Sequence, residues 1–238
     1  MHPSLPVLAA PRLVPFTVAT AGVLAVWNNA VAQRLPSYVL GNAVATAALL
    51  TAARRAGLSW DELGLGRPAL RRGLRWGAAP GALVGAGYAT ALAVPALRPL
   101  LRDARVAGLV GAEVASRALV RIPVGTVLWE EVAFRGVLLA ALDRLLGPRT
   151  AVGASSALFG VWHIRPAAEG LRANGLVRGP VGTAVAVGSA CLGTAAAGVL
   201  FAELRRRSGS LVAPALLHGA ANVLGLLAAV RASRRSLL

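Results

Sequence analysis

Apolar stretches long enough to cross a bilayer recur along this chain, and they constrain its fold more than any other feature. Seven can be marked, at roughly 13–33, 36–53, 76–97, 119–142, 149–164, 181–204 and 210–230. A hydrocarbon core about 30 Å thick takes about 20 residues of helix, and a backbone surrounded by lipid must satisfy its own hydrogen bonds. The composition agrees: 56% of residues are hydrophobic and 14% are charged, against about 25% charged in a soluble domain. The expected fold is all-α, a polytopic transmembrane helical bundle of about seven spans, with eight as the alternative. No linker or internal repeat divides the chain, so residues 1–238 are expected to form one membrane-embedded domain.

The formal net charge is +16, and all 25 basic residues are arginine. They cluster between the apolar runs, as at 54–55, 71–72, 205–207 and 234–235. That distribution suits flanks anchored at anionic headgroups. Nucleic-acid binding would need a basic face with aromatic or polar readers, so the lipid bilayer is the expected partner. Over seven spans the arginines divide twelve against twelve, which assigns no orientation. Arginine without lysine, with abundant Ala and Gly, points to a bacterial source and hence the bacterial cytoplasmic membrane. The single cysteine, Cys191, can form no internal disulfide and reads as a small packing residue.

Two polar stretches stand out. Residues 54–75 interleave Arg and Leu, with Ser59 and Glu62 spaced as a capping box, and suggest an interfacial amphipathic segment. Residues 98–118 suggest a second. AVAQ at 30–33 resembles a signal-peptidase site, but the preceding segment is long and carries a single Arg12. An uncleaved anchor is expected, with residues 1–32 retained. His2, in that terminal segment, is set aside.

VLWEEVAFRGVLLAAL, residues 127–142, places charge where hydrocarbon is expected. Each ionisable group in a span costs about 2.5–3.5 kcal/mol on insertion scales and so points to function. Glu131 and Arg135 stand at i,i+4 and can neutralise each other on one face. That leaves Glu130, about 100° away around an α-helix, without a structural explanation. Two further runs carry a histidine: Phe159 and His163 at i,i+4 in ALFGVWHI, and His218 and Asn222 at i,i+4 in LLHGAANVLG. Polar side chains in such bundles face inward, so Glu130, His163, His218 and Asn222 are expected to converge.

A carboxylate beside a histidine in a poorly hydrated cavity is a general acid/base pair. Two donors on another helix can hold an oxyanion. Together they suit attack of water on a peptide carbonyl, and no Ser/His/Asp or Cys/His arrangement offers another nucleophile. The same Glu130, His163 and His218 form a plausible zinc set with an open fourth position, although the helical HExxH pair is absent.

EEVAFR at 130–135, FGVWH at 159–163 and HGAAN at 218–222 resemble the EExxxR, FxxxH and HxxxN motifs of the CPBP family of intramembrane proteases, the CaaX-processing and Abi, bacteriocin-processing type. The resemblance covers about 119–230, which would be the protease core. It implies that Glu130 activates water with help from His163, and that His218 and Asn222 stabilise the oxyanion. Glu131, Arg135 and Phe159 would support the site. It also implies a glutamate-type endopeptidase, formerly classed as a metalloprotease, with no cofactor and with zinc as the alternative. The substrate would be a membrane-associated peptide or protein; farnesylated CaaX tails are not expected in a bacterium. Other classes fit the residues less well. A scaffold or self-immunity protein of the same fold needs no converged acid/base set, and a proton-coupled transporter should show inverted repeats or broken helix pairs. Glu130 lies early in its helix and His163 late in the next, so the cavity is expected to open near Arg121 and Arg165, bordered by 98–118 and 165–180.

Overall fold

The computed structural model describes residues 10–234; His2 and Arg235 lie outside them. The described residues contain helices α1 (Ala10–Val26), α2 (Tyr38–Arg55), α3 (Ala69–Ala93), α4 (Gly111–Ser116), α5 (Leu139–Leu146), α6 (Pro148–Trp162), α7 (Ile164–Ala173), α8 (Gly179–Ser208) and α9 (Val212–Arg234), and no strand. Between α4 and α5 the chain stays helical but widens into π-turns at Arg117–Leu128 and Glu131–Leu138. A third π-turn, Trp27–Val31, follows α1.

Three helical stretches are long and apolar enough to cross a membrane by themselves: Pro11–Arg34, Gly179–Ser208 and Val212–Arg234. A fourth arises if α3 and the 3-10 turn Pro95–Leu101, bent by 116° from it, count as one span. By this measure the expected number of about seven is not reached. The reasons are local. Helix α2 has 18 residues, and they include Asn42, Thr46, Arg54 and Arg55. Helix α6 has only 15, and the helical run between them in space carries Arg117, Arg121, Glu130, Glu131 and Arg135.

Local signals set the helix ends. The Ser37 side chain accepts from the Leu40 N–H at the start of α2, an N-cap that satisfies one orphan donor. Gly147, at φ +77°, separates α5 from Pro148 at the first turn of α6. Gly209, at φ +64°, ends α8 in the left-handed conformation that glycine tolerates best.

Close approach between helices is built from glycine. In α3, Gly73, Gly77, Gly81 and Gly85 recur every four residues and face α9. A Cβ on Gly77 would stand 2.8 Å from the Ala213 carbonyl oxygen, and one on Gly81 3.7 Å from the Ala220 Cβ. Likewise a Cβ on Gly160 of α6 would meet the Cys191 carbonyl of α8 at 2.7 Å.

The segment 54–75 is not an amphipathic surface helix. It is the end of α2, a turn over 56–68 and the start of α3. Leu58 and Leu63 plug the turn into the core, where both are fully buried beside Leu13, Ala53, Val132 and Val137. The capping box is present: Ser59 N–H donates to Glu62 Oε2 at 2.8 Å and Glu62 N–H to Ser59 Oγ at 3.2 Å. It closes a turn rather than starting a helix, because Glu62 is also taken by Arg144 across the bundle. Residues 98–118 hold the 3-10 turn, an irregular stretch and α4. Helix α1 belongs to the core: Leu24 is fully buried with Trp129, Phe134 and Trp162.

Candidate active site

The motif residues come from the π-turn Glu131–Leu138 with Glu130 at its N-cap, the C-terminal end of α6, and the first half of α9. π-turns inside α-helices are frequent at functional sites. Both carboxylates of the first motif reach the same imidazole. His218 Nδ1 lies 2.8 Å from Glu131 Oε1, and its Nε2 lies 3.8 Å from Glu130 Oε2. All three charged groups of the first motif are buried, at 2% (Glu130), 1% (Glu131) and 2% (Arg135) exposure.

The expected i,i+4 pair is present, with Arg135 Nη1 3.3 Å from Glu131 Oε1. Its surroundings are aromatic. The guanidinium carbon sits 3.9 Å from the Phe159 ring centre, 4.9 Å from that of Phe201 and 5.7 Å from that of Phe134. Cation–π contacts in a desolvated place contribute about 2 kcal/mol or more, which explains how a buried arginine is held where lone pairs are scarce. Phe159 also packs edge-on against His163, 4.6 Å between centroids, and His218 stacks on Phe201 at 5.1 Å.

Ring tautomers follow from the partners. A carbonyl only accepts, so His163 Nδ1, 2.7 Å from the Phe159 carbonyl oxygen, carries the hydrogen, and Nε2 of the neutral ring keeps its lone pair. By the same reasoning His218 donates from Nδ1 to the Glu131 carboxylate and turns Nε2 towards Glu130. No hydrogen bond joins His163 to Glu130 among the described residues. Instead Glu130 Oε1 accepts from Trp162 Nε1 at 3.0 Å, and Glu130 Oε2 has no protein hydrogen-bond partner.

Glu130, His163 and Asn222 line one cavity of about 520 Å³, together with Asn28, Tyr38, Thr126, Arg117, Arg121, Asp103 and Arg105. His218 is not on its wall but stands behind Glu130. Of the two arginines expected at its mouth, Arg121 lines the cavity and Arg165 does not; Asp103, Arg105 and Val106 border it. From 165–180 only Pro166 lines it, while Asn174 ties the border down: its Oδ1 accepts from the Ala104 N–H at 2.9 Å and its Nδ2 donates to Asp103 at 3.2 Å. Hydrogen bonds from Arg105, opposed by partial burial, hold the Asp103 carboxyl down to about 2.

Several residues of this site lie outside the motifs. Asn28 Nδ2 donates to the Trp162 carbonyl and Asn29 Nδ2 to that of Val161, while Asn29 Oδ1 accepts from the Arg165 N–H. Together they secure the turn that carries His163. Asn42 accepts from Trp27 Nε1 at 2.8 Å and donates to the Gly125 carbonyl at 2.7 Å, joining α1 and α2 to the helix that bears Glu130. Tyr38 reaches Thr126 at 3.4 Å and lies under the Arg121 guanidinium. The available signal was asparagine within apolar runs, which is costly unless bonded.

Among the described residues no group of three or more His, Cys, Asp or Glu is placed to hold a metal. In the zinc set Glu130, His163 and His218, one His218 nitrogen is taken by Glu131, and its ring is not on the cavity that Glu130 and His163 share.

No curated protein and no solved structure matches the chain. Residues 114–224, a little under half of the chain and carrying all three motifs, match the family described as type II CAAX prenyl endopeptidase Rce1-like. The motif-bearing segment thus matches the CPBP/CaaX protease family that its motifs resemble.

Proposed function

We propose that the protein is an intramembrane endopeptidase that hydrolyses a peptide bond of a membrane-associated substrate with water activated by Glu130 and His163. The observation carrying this reading is the shared wall of one cavity. Glu130, His163, whose Nε2 makes no hydrogen bond among the described residues, and Asn222, with no hydrogen bond to its amide among them, all line the space a scissile bond would occupy. Glu130 takes a proton from water as the oxygen attacks the carbonyl carbon. The Asn222 amide, on the cavity wall, donates to the oxyanion, while His218, behind Glu130 with Nε2 3.8 Å from its Oε2, positions that carboxylate. On collapse the C–N bond breaks and the proton on Glu130 passes to the leaving amine, so the products are a carboxylic acid and an amine. Glu131, accepting from His218 Nδ1, fixes that ring, and Arg135 with Phe159 fixes Glu131. No resident metal is needed in this scheme.

A substrate arriving through the bilayer is favoured by a separate apolar groove. An apolar groove of about 750 Å³ runs between α1 and α2, lined by Val23, Leu24, Trp27, Leu40 and Val44, and reaches Trp129, next to Glu130. The family, together with the apolar helices, supports residence in a membrane; the bacterial cytoplasmic membrane is the proposed one.

The test is cleavage of a quenched-fluorescent library of membrane peptides by the purified full chain in detergent, with and without a chelator. Cleavage that survives the chelator and disappears in Glu130→Gln is expected. Cleavage lost to the chelator and restored by zinc would overturn the metal-free scheme. Capture of a membrane protein without cleavage would favour a scaffold.

A further inference from the structure

Glu130 is not the only charge on the cavity wall. Arg105, Arg117 and Arg121 also line it, against the carboxylates of Asp103 and Glu130. Arg105 is spent on Asp103, with Nη2 to Oδ2 at 2.6 Å. Arg117 and Arg121 have no ion pair among the described residues. They stand one turn apart, and both also line an adjoining cavity of about 350 Å³ beside Ala112, Glu113 and Ser116. Its carboxylate, Glu113, accepts from the Val110 N–H at 3.0 Å. Arg121 is held in place: its guanidinium carbon lies 4.5 Å from the centre of the Tyr38 ring. Stacking fixes the plane of a guanidinium and leaves its N–H edge free for a carboxylate or phosphate.

Resting on the proteolytic reading, we propose that Arg117 and Arg121 form an anion subsite that takes a carboxylate of the peptide substrate. Arg121 precedes Glu130 by nine residues, at most roughly 13 Å along the axis, since the α-helical rise is an upper bound in the wider π-turns. An extended peptide covers that distance in about four residues. The subsite therefore reads a carboxylate within about four residues of the scissile bond, either the terminal α-carboxylate or an acidic side chain. A bidentate carboxylate pair there would be charge-assisted. Tyr38 is a positioning residue, acting through Arg121.

Binding separates this proposal from the chemistry. The full-length Glu130→Gln protein, in neutral-lipid nanodiscs, is titrated with three fluorescent heptapeptides of Ala and Leu, each N-acylated for membrane anchoring. One ends in a free carboxylate, one in an amide, and one in an amide with a single internal Glu. At least tenfold tighter binding of an acidic peptide than of the neutral amide is expected, and which acidic peptide is preferred identifies the carboxylate. Arg121→Gln should reduce that preference to near unity, and Tyr38→Leu should weaken it. Arg117→Gln serves the same purpose if the Arg121 variant does not fold. Equal binding of all three peptides, or a preference that persists in both arginine variants, overturns the proposal. So does loss of the preference on adding phosphatidylglycerol, with phosphate-dependent protection of the same arginines, which would assign the pair to lipid headgroups. If the preference holds and wild type cleaves nothing, the subsite stands and the proteolytic reading fails.

Discussion

Two arginine–carboxylate pairs lie in different regions of the bundle and are built in opposite ways. Glu62 and Arg144, in the turn after α2 and the end of α5, are saturated. The Glu62 carboxylate accepts from Ser59 N–H, Ser59 Oγ–H and both Arg144 Nε and Nη2, and Arg144 also donates to the Gly57 carbonyl. Glu131 and Arg135 are fully buried yet make one contact of 3.3 Å. Glu131 Oε2 and both Arg135 terminal nitrogens lack hydrogen-bond partners among the described residues. The first pair is a joint that ties a loop to a helix. The second is held by aromatic faces and shares its carboxylate with His218, an arrangement that stability alone does not call for, since a buried pair is often no better than apolar packing.

The largest effect on folding should come from splitting the buried pair. Arg135→Met leaves Glu131 uncompensated and is expected to cost about 3–5 kcal/mol, read as a lowered unfolding midpoint in detergent. Adding Glu131→Leu should restore most of that loss while leaving His218 without its Nδ1 acceptor, so peptide cleavage stays low. Full cleavage by the stable double variant would reduce the pair to a structural element.

Next in size is helix packing away from both pairs. Gly77→Leu forces a side chain against the Ala213 carbonyl and Leu216 and should cost about 1–3 kcal/mol, again as a shift in midpoint. The saturated joint should yield less: Ser59→Ala removes a cap worth about 1 kcal/mol.

The smallest effect is pH dependence. Burial pushes the Glu62 carboxyl up, but hydrogen bonds from Arg144 and Ser59 outweigh it and hold the group below its usual 4.5. A carboxyl depressed in the folded state stabilises above its unfolded value and loses that contribution as pH falls through the folded one. Asp103 behaves alike, its contribution falling between 3.8 and about 2. Unfolding midpoints should therefore decline below about pH 4.5, and the part due to this joint should vanish in Glu62→Gln, where partial exposure keeps it small.

How much of this was legible in the sequence follows from what each residue costs. Charge inside an apolar run is conspicuous, so Glu130, Glu131, Arg135 and the two histidines announced themselves. The shared reach of both glutamates to His218 did not, because it depends on where α9 places that ring against their helix. Asn28, Asn29 and Asn42 are neutral and passed as tolerable interruptions, although each holds a helix end or a helix crossing. Residues 54–75 read as an interfacial amphipathic segment because their leucines alternate with arginine. Burial of Leu58 and Leu63, and the long-range pairing of Glu62 with Arg144, decided otherwise. The glycine stripe of α3 was visible only as composition until α9 lay against it.

The central claim is that Glu130 performs chemistry while Glu62 performs support. The direct measurement is the rate of cleavage of the best library peptide by Glu130→Gln and by Glu62→Gln, each below its unfolding midpoint. The expected result is a loss of about 100- to 10,000-fold for Glu130→Gln with little change in midpoint, and near wild-type cleavage by Glu62→Gln with a lowered midpoint. Wild-type cleavage by a folded Glu130→Gln protein would contradict the assignment of Glu130 as the base.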